Sequence, residues 1–258
     1  MNEAPGTDTS PLEAGDRPSH EFHAPRLHPH GPLTTVRMLL EIVVIALFIV
    51  TFISQPTRIA SASMYPTLKV GDMLFLDKQS YGSGTPASFM DALLPPEQIH
   101  RGDIIVFHYT VDPSLSLVKR VIGLPGDRIH LHNGRVFLNG SPLEESYTYY
   151  LPSQPNRYRD NFPDIHDPNP NVDPRWWVQM RHSVENGEIA VPPNHYFVLG
   201  DNRNNSEDSR YWGFVPRNAI IGRPLVVYFS TAGTPEGSFL QRLAAALHQG
   251  WQSIRVIR

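Results

Sequence analysis

Apolar residues fall into one dense block and a series of short ones. The dense block is residues 35–54, TVRMLLEIVVIALFIVTFIS, whose centre from Ile42 to Val50 is uninterrupted. A bilayer span needs about 20 mostly apolar residues, so this stretch predicts one transmembrane helix. Glu41 sits near its amino-terminal end, where a carboxylate can reach the headgroup region. The short blocks follow: LKVGDMLFLDKQSYG, RGDIIVFHYT, SLVKRVIGLPGDRIHLHNGRVFLNG, EIAVPPNHYFVLGD and GRPLVVYFS. They read as β-strands divided by Gly, Pro and Asn turns, predicting a β domain over 55–229. Asn-Gly pairs at 133–134 and 139–140 bracket RVFL and predict a small meander.

Three segments break this pattern. Residues 1–33 mix Pro, Gly, acids and four histidines (20, 23, 28 and 30) without an apolar face, which predicts a disordered tail. Between 145 and 186 the chain is dense in Pro, Asn and Asp, an irregular part of an insertion spanning about 128–196. At 236–258, Phe239, Leu240, Leu243, Leu247, Trp251 and Ile254 recur at helical spacing among Arg242, Arg255 and Arg258. That predicts an amphipathic helix, resting on anionic lipid or packed on the β domain.

Composition narrows the chemistry. A formal charge of −3 over 258 residues argues against a nucleic-acid partner. The absence of cysteine excludes disulfides, thiolate metal sites and a cysteine nucleophile. No G-x-S-x-G, H-E-x-x-H, Walker lysine loop or G-x-G-x-x-G occurs. His130 and His132 share a strand face without a third ligand in view, so neither a metal nor another cofactor is expected. Basic residues flanking the span balance, with Arg26 and Arg37 before it and Arg58 and Lys69 after it, and so set no orientation. Ala60-Ser61-Ala62 has the small-x-small form of a signal-peptide cleavage site, leaving a second reading: residues 1–62 as the signal peptide of a secreted β protein. The tail of five acids ahead of the apolar block speaks against it.

Four stretches remain: SASMYPTLKVGD (61–72), RGDIIVF (101–107), VKRVIGLPGD (118–127) and GDNRNNSEDSRYWGFVP (200–216). Together, over about 38–229, they resemble bacterial type I signal peptidases, membrane-anchored serine proteases that remove signal peptides from exported proteins. The resemblance implies a mainly β fold, shared with self-cleaving SOS repressors, plus one N-terminal membrane helix and a small inserted β and irregular subdomain. It implies Ser63 as nucleophile and Lys119 as general base, with Ser61 and the Ser63 amide holding the oxyanion. Ser206 would orient the lysine, and Asp208 and Arg210 would brace the loop. Ile59, Ala60, Leu68 and Val118 would line shallow pockets for small side chains. The implied partners are preproteins and the bilayer; the implied state is a single-pass monomer with its catalytic domain outside the cytoplasmic membrane. Two positions depart from the family pattern: Ala62 replaces a usual glycine, and Asn204 a frequent aspartate.

Elementary chemistry agrees with these roles. A serine hydroxyl needs a base, and a lysine serves only when neutral, which burial among residues such as Val118, Val121, Ile122 and Leu124 favours. In a strand, neighbours alternate, so Lys119 turning inward sends Arg120 to water; by the same periodicity Ser61 and Ser63 share a face. Asp208 and Arg210, two apart, are likewise spaced for a strand-face ion pair. A silent, membrane-tethered peptide-binding protein on this frame is the alternative from outside enzymology.

Overall fold

The computed structural model describes residues 31–48, 54–78, 80–81, 97–166, 169–232 and 254–257. The tail over 1–30 and most of the predicted carboxyl-terminal helix lie outside them. The chain divides into two compact units, Met1–Val43 and Val44–Arg258.

The first helix, α1 (Pro32–Phe48), opens three residues earlier than predicted, on a proline that a first helical turn tolerates because the N–H it lacks would have no partner there. Arg37 and Glu41 pair across one turn at 2.8 Å. Among the described residues no helix is long and apolar enough to cross a membrane. Residues 49–53 are outside the description, and Ser54 belongs to a strand instead of the helix.

The β domain is built on an antiparallel eight-stranded sheet. Its path runs β1 (Ser54–Arg58), β2 (Asp72–Asp77), β12 (Ile220–Ser230), β3 (Ile104–His108), β4 (Ser116–Gly123), β10 (His195–Leu199) and β11 (Val215–Pro216). The eighth, β13 (Arg255–Val256), pairs with β12. The family-like fold expected from sequence is therefore present in outline: mainly β, with a second, smaller sheet that shares a core with the first. The insertion forms this five-stranded sheet in the order β7 (Ser141–Pro142), β6 (Arg135–Leu138), β5 (Arg128–His132), β9 (Glu188–Ala190) and β8 (Val184–Glu185). Both Asn-Gly turns predicted from sequence occur, with positive φ at Asn133, Gly134, Asn139 and Gly140, the geometry that twists adjoining strands correctly.

The stretch 145–186 is less irregular than its composition suggests. It holds α2 (Arg157–Asp160) and α3 (Pro174–Ser183), capped by Asn156 and Asp173, and α3 buries Trp176 and Met180 one turn apart in a core shared by the insertion and the main sheet. Residues 254–257 correct another expectation. Arg255 and Val256 extend the sheet instead of continuing a helix, because β12 offers them paired backbone at Val227 and Val226.

Candidate active site

Ser61 is extended, and Ala62–Met64 then close a single 3₁₀ turn, not the strand predicted from the two-residue spacing. The turn still brings the two hydroxyls together: Ser61 Oγ lies 3.2 Å from Ser63 Oγ. No residue of it has positive φ, which is why alanine stands at 62 without strain.

Lys119 comes from β4, and its Nζ is hydrogen-bonded to Ser63 Oγ at 2.8 Å. Only 3% of the residue is exposed. Burial pulls the amine down to about 8, although the Asp208 carboxylate opposes part of that shift. A neutral amine at this distance from a hydroxyl has a lone pair free to accept a proton. Arg120 departs from the alternation argument: it is buried, not solvated. Its guanidinium grips both oxygens of the fully buried Asp201 at 2.8 and 2.7 Å and lies over the Tyr147 ring at 3.9 Å. The face opposite Lys119 is covered by the insertion and by the loop after β10.

That loop, GDNRNNSEDSRYWG, holds the turn bearing Ser63 from its other side. Asn202 donates its amide to Ser63 O at 3.0 Å and its side chain to Ala62 O at 3.1 Å. Thr67 Oγ1 donates to Asp201 at 2.5 Å. Gly200 has no room for a side chain: a Cβ there would fall 2.5 Å from Ser63 O and 2.3 Å from Ser206 Oγ. Asn204 binds Leu151 O and Ser153 Oγ, at 2.8 and 3.0 Å, tying the loop to the insertion.

Asp208 and Arg210 do pair, at 2.7 and 2.8 Å, with almost no exposure. They do so at a helix start, not on a strand face. Asp208 caps α4 (Ser209–Trp212) and also accepts from the Gly200 amide at 3.1 Å. Burial pushes the Asp208 carboxyl up, but Arg210 and the amide bonds outweigh it and hold the group below its usual range.

Ser63, Lys119, Ser61 and Ser206 line one cavity of about 550 Å³, together with Leu117 and Trp212. Ser206 Oγ is buried there with no hydrogen-bond partner. The pocket residues named from the resemblance separate into two groups. Ala60 is exposed and Val118 half-buried, whereas Ile59 and Leu68 are 5% and 0% exposed and pack with Met64, Leu74, Ile104 and Val227 beneath the turn. His130 is engaged with Glu188 at 3.0 Å and stacked on Phe137. Sequence reasoning placed Asn202, with Gly200, in a tight turn carrying Ser206 but did not foresee its bonds to Ser63 and Ala62, and it did not single out Asp201 or Thr67. The G-D-N triplet was visible, but nothing in it told which carbonyl or hydroxyl it would meet.

Residues 33–229 match the family model described as signal peptidase, peptidase S26. The chain belongs to the signal peptidase family. It is similar to a signal peptidase I of Leptolyngbya laminosa, 41% identical over 194 residues, which covers 72% of this chain and 74% of the relative. A signal peptidase I of Pseudomonas fluorescens is 34% identical, covering 75% and 71%. A solved signal peptidase I from Enterococcus faecalis is 29% identical over 49% of this chain and 97% of its own, with a TM-score of 0.36, too low to bear on the fold. Within this family the chain is a peptidase of preproteins, and the Ser63–Lys119 pair lies inside the matched region.

Proposed function

We propose that this signal peptidase cuts preproteins after small-x-small sites by a Ser63–Lys119 dyad. The observation that carries the reading is a buried lysine, readily neutral, 2.8 Å from a serine hydroxyl in an open cavity. Neutral Lys119 takes the Ser63 proton as Oγ bonds to the scissile carbonyl carbon. The Ser63 amide and the Ser61 hydroxyl stabilise the oxyanion. Collapse breaks the C–N bond, Lys119 returns the proton to the leaving amine, and the signal peptide remains as an ester on Ser63. A water deprotonated by Lys119 then hydrolyses that ester. Ser206, with its free hydroxyl on the same cavity, orients the amine between these transfers.

The substrate binds as an added strand. β10 pairs with β4 only at Arg120, Val121 and Gly123, which leaves the edge of β4 beside Lys119 open among the described residues. An extended peptide there presents alternate side chains; Ala60 and Val118, the accessible pair of the four, restrict them to small size, while Ile59 and Leu68 support that wall from the core beneath. The triplet Ala60-Ser61-Ala62 belongs to the enzyme side of this exchange. Cutting after Ala62 would remove β1, whose five residues pair with β2, and the Ser61 hydroxyl. Residues 35–54 hold the enzyme to the membrane as a single span, with the catalytic domain on the outer face. A cross-strand apolar row on the sheet, Pro56, Phe75, Val226 and Val256, suits a domain lying against lipid.

Detergent-solubilised enzyme should release a mature chain beginning directly after an A-x-A site, as read by mass spectrometry, and in membranes not treated with detergent the enzyme should stay in the pellet on alkaline extraction. Cleavage at other sites, or release into the supernatant, would overturn the corresponding half of the reading. Ser61→Ala should lower kcat by about 100- to 1000-fold, the usual loss of one oxyanion donor, with KM little changed. A loss confined to KM would remove Ser61 from the oxyanion site.

The pH profile follows from the lysine. The active form is the deprotonated one, so rate rises with pH and levels off above the amine's midpoint, near 8. At pH 7 about a tenth of such sites are neutral, against about one in 2,500 for an ordinary lysine. Single-turnover acylation should therefore rise about tenfold per unit below pH 7 and bend near 8. A flat profile across this range would contradict a lysine base.

A further inference from the structure

We propose that the segment Ile254–Ile257 is a positioning clamp on the nucleophile turn, with Arg255 its positioning residue. The segment lies beyond the family match, which ends at residue 229. The proposal rests on the Ser63–Lys119 reading and adds an element to it.

Three contacts support the clamp. β13 pairs with β12 through Val226↔Val256 and Val227↔Arg255, and the Ile257 amide donates to Leu225 O at 3.0 Å. Ile257 packs onto the cluster that contains Met64, next to the nucleophile, and Val118, next to the base, packs against the same cluster. The Arg255 guanidinium reaches Asp72 and also donates to Thr67 O at 3.3 Å. The last contact matters most. Asp72 has no exposure at all, and its other partners, the Lys69 amide at 2.8 Å and Ser230 Oγ at 2.5 Å, are neutral. Among the described residues Arg255 is the cation that its side chain meets in an ion pair. A buried carboxylate without a cation is costly, so Arg255 holds Asp72 and, with it, the chain leaving the nucleophile turn.

The route from Arg255 to the dyad is short and continuous. Thr67, whose carbonyl Arg255 holds, donates its hydroxyl to Asp201. Asp201 is gripped by Arg120, the residue after the base. The turn bearing Ser63 is thus fixed on one side by Asn202 and Asp201 and on the other by Arg255. Loss of the second anchor leaves Thr67 attached at one end only and lets Ser63 drift from Lys119. Displacement of a reacting group by about 1 Å can cost about a hundredfold in rate.

The experiment compares full-length wild type, Arg255→Met, Arg255→Lys and the double variant Arg255→Met/Asp72→Asn in detergent, using a signal-sequence peptide. Active-site titration by the acylation burst counts competent sites, so the acylation rate per competent site is separated from unfolding. We expect Arg255→Met to lower kcat per competent site by about 10- to 100-fold, with KM changed less than about threefold. Arg255→Lys should recover part of the loss. The double variant removes the unpaired carboxylate and regains thermal stability, yet stays slow because Thr67 O remains unheld. A normal rate per site in Arg255→Met, or full recovery in the double variant, would overturn the clamp and leave the dyad untouched. An inert wild type would instead overturn the dyad reading itself.

Discussion

Ser63→Ala and Lys119→Met are each expected to lower kcat by about 10⁴- to 10⁶-fold, and the double variant by no more than the worse single one. The residues act as one unit: without the base the hydroxyl is not a nucleophile, and without the hydroxyl the base has nothing to activate. Methionine suits position 119 because the site is built to hold an uncharged chain. Lys119 is 3% exposed, and Val121 and Ile122 beside it in sequence are fully buried. Burying a thioether there costs less than burying an amine with one hydrogen bond, so Lys119→Met should fold at least as stably as wild type. Inactivity in a well-folded variant then assigns the lysine a chemical role. Thermal unfolding read beside preprotein cleavage checks both halves. Substantial activity in either single variant, or multiplied losses in the double, would mean that Ser63 and Lys119 do not share one proton.

The sequence carried the chemistry more plainly than the scaffolding around it. The family resemblance carried by four ordered stretches marked Ser61, Ser63, Lys119 and Ser206 as candidates, and the structure gathers all four on one cavity. Strands were legible because a half-buried strand alternates: β2 does so along its whole length. Alternation gives the direction of a side chain but not what covers it. Arg120 was expected in water, yet Asp201, 81 positions later, and Tyr147 cover that face. The spacing of Ser61 and Ser63 was right for the wrong reason, since a 3₁₀ turn as well as a strand can bring such a pair together. At the carboxyl end, helical spacing that included Ile254 continued into two residues whose state is set by a partner strand, and tertiary pairing overrode the local pattern. Helices α2 and α3 were hidden because their caps, Asn156 and Asp173, are also turn formers in a stretch rich in such residues.

Removing one member of the Asp208–Arg210 pair should cost about 3–5 kcal/mol of stability, because each leaves a charge with almost no exposure unpaired. The pair is also a lever on the base. Asp208 raises the Lys119 midpoint and Arg210 lowers it, while burial dominates both. Asp208→Asn keeps the shape of the cap but removes the charge, so the acid limb of the pH profile should move down. Arg210→Met removes the opposing charge and should move it up. A merely structural role predicts loss of stability in both variants with no shift, or with shifts of the same sign. Opposite shifts, measured as single-turnover acylation against pH on the folded fraction, would show that the loop sets the basicity of the lysine as well as its place. Replacing both residues by apolar ones of similar volume should restore much of the stability, since the cost lies in the orphaned charge more than in the lost bond. Rate is not expected to return with it. Asp208 also accepts the Gly200 amide, and Gly200 is the residue whose missing side chain makes room for Ser63 O and Ser206. An apolar residue at 208 leaves that amide without a partner and the close approach without its tether.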